Sequence, residues 1–415
     1  MIMENKIKKR LTRILFQAYN EVPFFNNVIN ELTQEHVDLN ETLWERLPTF
    51  NKRTILDTGW LNFIAMPYLD DEFNLRKGIG ERIERTSGTT GNPMQILWNT
   101  NDCFSSIMNH WKYRGKNFGI TPDSKMCTTV KHLPGDKLYS IKDNKMTFSI
   151  KQLDEQTIPR IWEAIVKFEP EWFYIQNSIL FVMVYMAKKF RITLPKTLRY
   201  IEYIGEPICA YYRREIKKML PVPTSNMYGC VETNGISYEC KCGKNHLLTD
   251  NVITEIVSEN GVPLPEGEKG FVCVTGLHNT AMPMLRYRLN DKASIRSSDC
   301  PCGNTAPIID IHAARMPEFL VLDDETISAD FALYSPINGG LQIVEPKEDD
   351  IVFNLKMNSL DNYEILICQS NQTSDGLENI LRSLFEAYSL PDIQFSVRIV
   401  DEFDQSKPAG FLRMR

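Results

Sequence analysis

"RTSGTTGNPMQ", residues 85–95, packs hydroxyl side chains and glycines into one short loop and then enters a run with strand character. Glycines let the backbone approach a ligand closely, and hydroxyls offer donors, a combination suited to phosphate oxygens. A Walker loop is excluded, because that pattern needs Gly-Lys-Ser/Thr opening a helix, whereas Gly91 leads through Asn92 and Pro93 into "MQILW".

Outward from this loop, helical and strand periods alternate. "TNDCFSSIMNHWKY" places Phe104, Ile107, Met108 and Trp111 on one helical face, while "TLRYIEYIG" and "FVCVTGL" read as buried strands ending in glycine loops. Upstream, "LPTFNKRTILD" reads as a turn and a helix start. Downstream of residue 313 the character changes. "DIVFNLKM", "NYEILICQS" and "DIQFSVRIV" are strand-like, and "SDGLENILRSLFEAYSL" is an amphipathic helix with Leu377, Ile380, Leu381, Leu384 and Tyr388 on one face. The expected fold is α/β: a large N-terminal domain with mixed sheets over 1–313 and a small C-terminal α+β domain over 314–415.

The chain has 415 residues, 43% hydrophobic and 24% charged, enough for more than one core. A net charge of -6 speaks against a nucleic-acid surface, and the local basic run "KIKKRLTR" reads as a solvated helix face. The first residues lack a sustained apolar core with a small-residue cleavage site, and the longest apolar stretch, 172–190, is interrupted by Gln176, Asn177 and Ser178. A cytoplasmic protein with no membrane partner is expected, its ten cysteines serving as thiols or metal ligands.

"ECKCGKNH" (239–246) and "DCPCG" (299–303) carry metal-ligand spacing. Cys240, His246, Cys300 and Cys302 are the chosen set for a closed, structural zinc site, with Cys242 as the alternative.

The order "RTSGTTGNP" (85–93), "IGEP" (204–207), "MYGCVETNG" (227–235) and "LRYRLND" (285–291) resembles the adenylate-forming (acyl/aryl-CoA ligase) superfamily, in particular its phenylacetate-CoA ligase-like branch. "QAYNEVPFFNNVI", "LPTFNK" and "CPCG" resemble that branch too. The resemblance implies ATP and Mg²⁺, with a carboxylic acid, aromatic in character, converted to an acyl-adenylate and passed to a nucleophile, by default coenzyme A. It implies that Ser87, Gly88, Thr89, Thr90 and Gly91 cradle phosphates, and that Gly205, Glu206 and Pro207 line the adenine pocket with Tyr228 against the base. Glu232 would hold Mg²⁺ and Asp291 the ribose hydroxyls. Glu232, Thr90 and Lys407 are the candidate catalytic groups. Amide or ester formation with another small nucleophile is the alternative outcome, as is a degenerate adenylate-binding protein; a homodimer is compatible with either.

Two departures stand out. Where the family ends in a Gly-Lys pair, Gly410 is followed here by Phe411, leaving Lys407 and Arg413 as substitute cations. At the hinge, "AARMPEF" (313–319) keeps Arg315 but replaces the family's acidic pair with Pro317 and Glu318, and proline stiffens the position.

Overall fold

A computed structural model describes residues 4–33, 38–76, 81–85, 94–154, 156–206, 208, 210–313, 319–324, 327–334, 351–359, 362–368, 394–400 and 409–414. Its helices are α1 (Asn5–Glu21), α2 (Pro23–Thr33), α3 (Glu41–Arg46), α4 (Lys52–Thr58), α5 (Thr100–Phe118), α6 (Thr157–Phe168), α7 (Asn177–Lys189) and α8 (Ala210–Met219). The first strands are β1 (Glu81–Arg85), β2 (Gln95–Asn99), β3 (Met126–Val130), β4 (Tyr139–Lys142), β5 (Lys145–Ser149), β6 (Trp172–Ile175) and β7 (Tyr200–Ile204). There follow β8 (Thr224–Cys230), β9 (Asn234–Glu239), β10 (Asn245–Leu247), β11 (Val252–Val257), β12 (Gly270–Gly276), β13 (Tyr287–Arg296) and β14 (Ile308–Ala313). The last are β15 (Phe319–Asp324), β16 (Ile327–Tyr334), β17 (Ile351–Ser359), β18 (Asn362–Cys368), β19 (Gln394–Val400) and β20 (Ala409–Met414). The α/β class expected from the sequence is the class observed. No helix among the described residues is long and apolar enough to cross a membrane.

The chain divides into two compact units, each assembled from two stretches: Met1–Gly119 with Met227–Ile311, and Ile120–Asn226 with His312–Arg415. In the first unit the strands run β11-β12-β13-β14-β10-β9-β8, and β1 pairs with β2 in a separate antiparallel ribbon. Its apolar core joins α1 and α2 (Leu11, Ile14, Leu15, Phe25, Ile29) to β2 and to β11–β13 (Ile96, Leu97, Val252, Val272, Val274). Asn51 caps α4, its side chain accepting from the backbone N–H groups of Arg53 and Thr54, so the turn and helix start read from "LPTFNK" are present.

In the second unit β6 pairs in parallel with both β3 and β7, and the antiparallel β4–β5 hairpin lies beside β3. The run "WFYIQNS" resolves into β6 and the start of α7. Trp172 and Phe173 are each 1% exposed and belong to the core. The same unit contains the sheet β15-β16-β20-β17-β18-β19, where β18 and β19 are parallel. The three strands read after residue 350 are β17, β18 and β19, whereas the helix read at 374–390 lies outside the described residues. Phe411 stands in the middle of β20, opposite Ala332 on one side and Val352 on the other.

One helix is right and its face is wrong. α5 spans "TNDCFSSIMNHWKY", but the residues it buries are Cys103, Ser106, His110 and Arg114, and Phe104 is 64% exposed. The surface that α5 meets is part polar and part apolar: Asn234 Nδ2 donates to Ser106 Oγ at 2.6 Å and Tyr113 Oη to the Glu239 carbonyl at 3.2 Å, while the Tyr113 ring lies 4.0 Å from that of Tyr238 and Cys103 joins the core. Hydrophobic periodicity cannot find a face whose partner is a hydrogen-bonded hairpin.

Candidate functional site

The hairpin β8–β9 turns through Val231, Glu232 and Thr233. Two of its residues can only be small. A Cβ on Gly229 would lie 2.4 Å from the Asn234 carbonyl oxygen, and one on Gly235 would lie 1.9 Å from His110 Nε2. The indole N–H of Trp98, on the strand that leaves the 85–95 loop, donates to the Val231 carbonyl at 3.0 Å and fixes the turn from one side.

From the other side comes β13. Tyr228 Oη donates to Asp291 Oδ2 at 2.7 Å, and Tyr287 Oη donates to Glu232 Oε1 at 2.9 Å. Both expected carboxylates of the first unit are therefore held by phenols from the opposite segment. Glu232 is only 6% exposed, and the Tyr287 phenol gives its buried carboxylate a donor. Burial, reinforced by the Glu232 charge, raises the pKa of the Cys230 thiol; Cys230 stays protonated and is a poor nucleophile. Tyr287 is a residue that the sequence reading passed over. The signal for it was its position four residues before Asp291, mirroring Tyr228 before Glu232.

In the second unit the loop after β7 carries Gly205 at φ 76°, a backbone conformation that favours glycine. Glu206 follows. Its carboxylate accepts from the Ser178 backbone N–H at 2.6 Å, from Ser178 Oγ at 2.9 Å and from Asn177 Nδ2 at 2.7 Å. Those groups form the first turn of α7, whose Gln176 cap makes no side-chain bond of its own, so Glu206 supplies the missing acceptor and a favourable charge at the positive end of the helix. The loop is thereby pinned. Gln176 instead accepts from Thr129 Oγ1 at 2.7 Å.

Cys240, His246, Cys300 and Cys302 form one cluster, with one ligand atom from each and all four within 4.8 Å of one another. Cys240 Sγ is 3.6 Å from Cys300 Sγ, and Cys302 Sγ is 3.4 Å from His246 Nε2. Two glycines shape the knuckles. Gly243 (φ 73°) donates its N–H to the Cys240 carbonyl, and Gly303 (φ 80°) to that of Cys300. The Cys300 thiol is pushed down to about 6, chiefly by the backbone N–H of Cys302. Three thiols and an imidazole brought together from two loops fit zinc in number and in chemistry. Cys242 is exposed and outside the cluster.

Ser87, Gly88, Thr89, Thr90, Gly91, Pro207, Arg315 and Lys407 lie outside the described residues. The strands that carry the 85–95 loop are described, and pair from Glu81↔Asn99 to Arg85↔Gln95.

Residues 85–282 match the family model of the AMP-binding enzymes. Among curated proteins, the phenylacetate-coenzyme A ligase of Thermus thermophilus is 24% identical over 310 residues, covering 72% of this chain and 67% of the relative. That of Escherichia coli is 22% identical over 293 residues, covering 68% and 65%. The chain thus matches about two thirds of the length of each. Among solved structures, a 2-hydroxyisobutyryl-CoA ligase in its postadenylation state superposes with a TM-score of 0.62 at 15% identity, over 95% of this chain and 85% of that one. The same ligase in its thioesterification state gives 0.61 at 16% identity, over 96% and 87%.

Proposed function

We propose that the chain is an adenylate-forming enzyme, an AMP-forming acid–CoA ligase of the phenylacetate-CoA ligase-like branch, which joins a carboxylic acid to ATP, releases pyrophosphate and transfers the acyl group to coenzyme A; the match to the AMP-binding enzymes and the curated relatives support this reading. The observation that carries this reading is the pairing of Tyr228 with Asp291 and of Tyr287 with Glu232. Four residues from separate stretches of sequence converge with the polarity that a magnesium nucleotide needs.

In this reading the acid's carboxylate attacks the α-phosphorus of ATP, the bond to pyrophosphate breaks, and thiol attack on the acyl carbon then expels AMP. Glu232 would hold Mg²⁺, which would supply positive charge to the phosphoryl oxygens. Asp291 accepts from the ribose hydroxyls, and Tyr228 offers its ring face to the base. Gly205, Glu206 and Pro207 line the adenine side, with Glu206 keeping that loop in place through α7. Ser87, Gly88, Thr89, Thr90 and Gly91 supply donors to the phosphates. Lys407 or Arg413 would substitute for the lysine that Phe411 replaces, Arg315 would mark the hinge, and residues 314–415 would form the C-terminal domain. The names of the curated relatives favour an aromatic acid. Cys240, His246, Cys300 and Cys302 would hold a structural zinc, their four donors matching the number such a site needs.

The test is pyrophosphate release from ATP and Mg²⁺ across a panel of aryl and short aliphatic acids, with hydroxylamine trapping the activated acyl group. Acid-dependent release is expected. Silence across the panel in protein that binds ATP would overturn the adenylation step.

A further inference from the structure

Two segments of the first unit share one spacing, a tyrosine followed four residues later by an acid: Tyr228 to Glu232 and Tyr287 to Asp291. Their bonds cross, each phenol donating to the acid of the other segment. The Tyr287 end is the more firmly built. Its ring is 2% exposed and lies 5.4 Å from that of Phe50. The preceding residue, Arg286, is held at φ 55°, where a side chain is strained.

The guanidinium of Arg286 accounts for that strain. It donates to Glu255 Oε2 at 3.1 Å and Oε1 at 3.2 Å, and to the carbonyls of Glu45 at 3.2 Å, Leu47 at 2.5 Å and Gly261 at 3.1 Å. All five of its N–H groups are thus engaged. Its backbone N–H donates to Thr275 Oγ1 at 2.8 Å. The neighbouring phenol is therefore set in place before any ligand arrives.

We propose that Tyr287 is a positioning residue for Glu232: its phenol donates to Oε1 and so orients the carboxylate toward the divalent cation that accompanies the nucleotide. A phenol keeps its proton at neutral pH, so this is a charge-assisted bond that orients the carboxylate without neutralising it. The inference rests on the reading of Glu232 as the metal-holding acid.

Binding of a non-hydrolysable ATP analogue, α,β-methylene-ATP, by titration calorimetry separates the two claims. It is measured on the full chain in Mn²⁺ and in EDTA. Tyr287→Phe keeps the ring and its packing; affinity in EDTA should be unchanged, while the extra affinity given by Mn²⁺ should fall by about tenfold. Glu232→Gln should lose that extra affinity, and adding Tyr287→Phe to it should change nothing more. If Glu232→Gln keeps the Mn²⁺ effect, the reading of Glu232 fails and takes the inference with it. If only Tyr287→Phe keeps it, or weakens binding equally in Mn²⁺ and EDTA, the inference fails alone.

Discussion

His246 Nδ1 lies 2.9 Å from the carbonyl oxygen of Ala306, while its Nε2 is turned to Cys302. A carbonyl accepts only, so Nδ1 carries the proton and Nε2 presents a lone pair to the thiol cluster. This is the arrangement by which outer partners fix the tautomer of a metal-ligating histidine.

Cys300→Ser should therefore cut zinc content, measured by elemental analysis on protein purified without chelator, from about one per chain to near zero. Cys242→Ser, which changes an exposed thiol outside the cluster, should leave it unchanged. Equal loss in both would show that the metal is held elsewhere.

Glu206→Ala strips the first turn of α7 of its acceptor and leaves the buried Ser178 N–H without it. A loss of about 1–3 kcal/mol is expected in denaturant unfolding. Glu206→Gln, which keeps an acceptor but removes the charge, should lose less.

Gly235→Ala sets a methyl against His110 and should destabilise by about 1–3 kcal/mol. Combining it with His110→Ala should give less loss than the sum of the two single changes, because the second removes the clash. Additive losses would place the clash at Leu248 instead, whose Cδ1 would lie 3.0 Å from the added methyl.

His278 gives a pH signature. Burial, with Arg10 and Arg13 nearby, depresses its pKa against the smaller opposing effects of the Asp250 carbonyl and the Asp102 charge. The unfolded chain then takes up the proton first as pH falls, at about 6.5. His278 thus adds no penalty above that value, and stability declines as pH drops from there through the lower folded pKa. His278→Gln should flatten this part of the stability curve, read as thermal midpoint against pH between 5 and 8 on the order of half-unit steps.

How far the sequence could be read depended on what each residue packs against. β2, β7, β12, β17, β18 and β19 were legible because buried strands show themselves as apolar runs or alternation. The cysteine cluster was legible from spacing, since tight knuckles bring their ligands together locally. The buried face of α5 was not, because much of it, Ser106, His110 and Arg114, is polar. Nor was the bond from Tyr287 to Glu232 legible, since it joins residues 55 positions apart in sequence. Glu206 was singled out for a nucleotide role, and its hold on α7 has no local sequence signature: Asn177 and Ser178 read only as breaks in an apolar stretch.

The position of the thiol cluster has a consequence for how the protein is made. Synthesis delivers Cys240 and His246 first and Cys300 and Cys302 last, and between them come Tyr287 and Asp291. A metal bound by all four ligands can be captured only once the ribosome has passed the segment that braces the Glu232 turn. Completion of the cluster would then mark a nascent chain in which every residue of that brace already exists, and a chain halted before Cys300 could be told apart by its empty half-site.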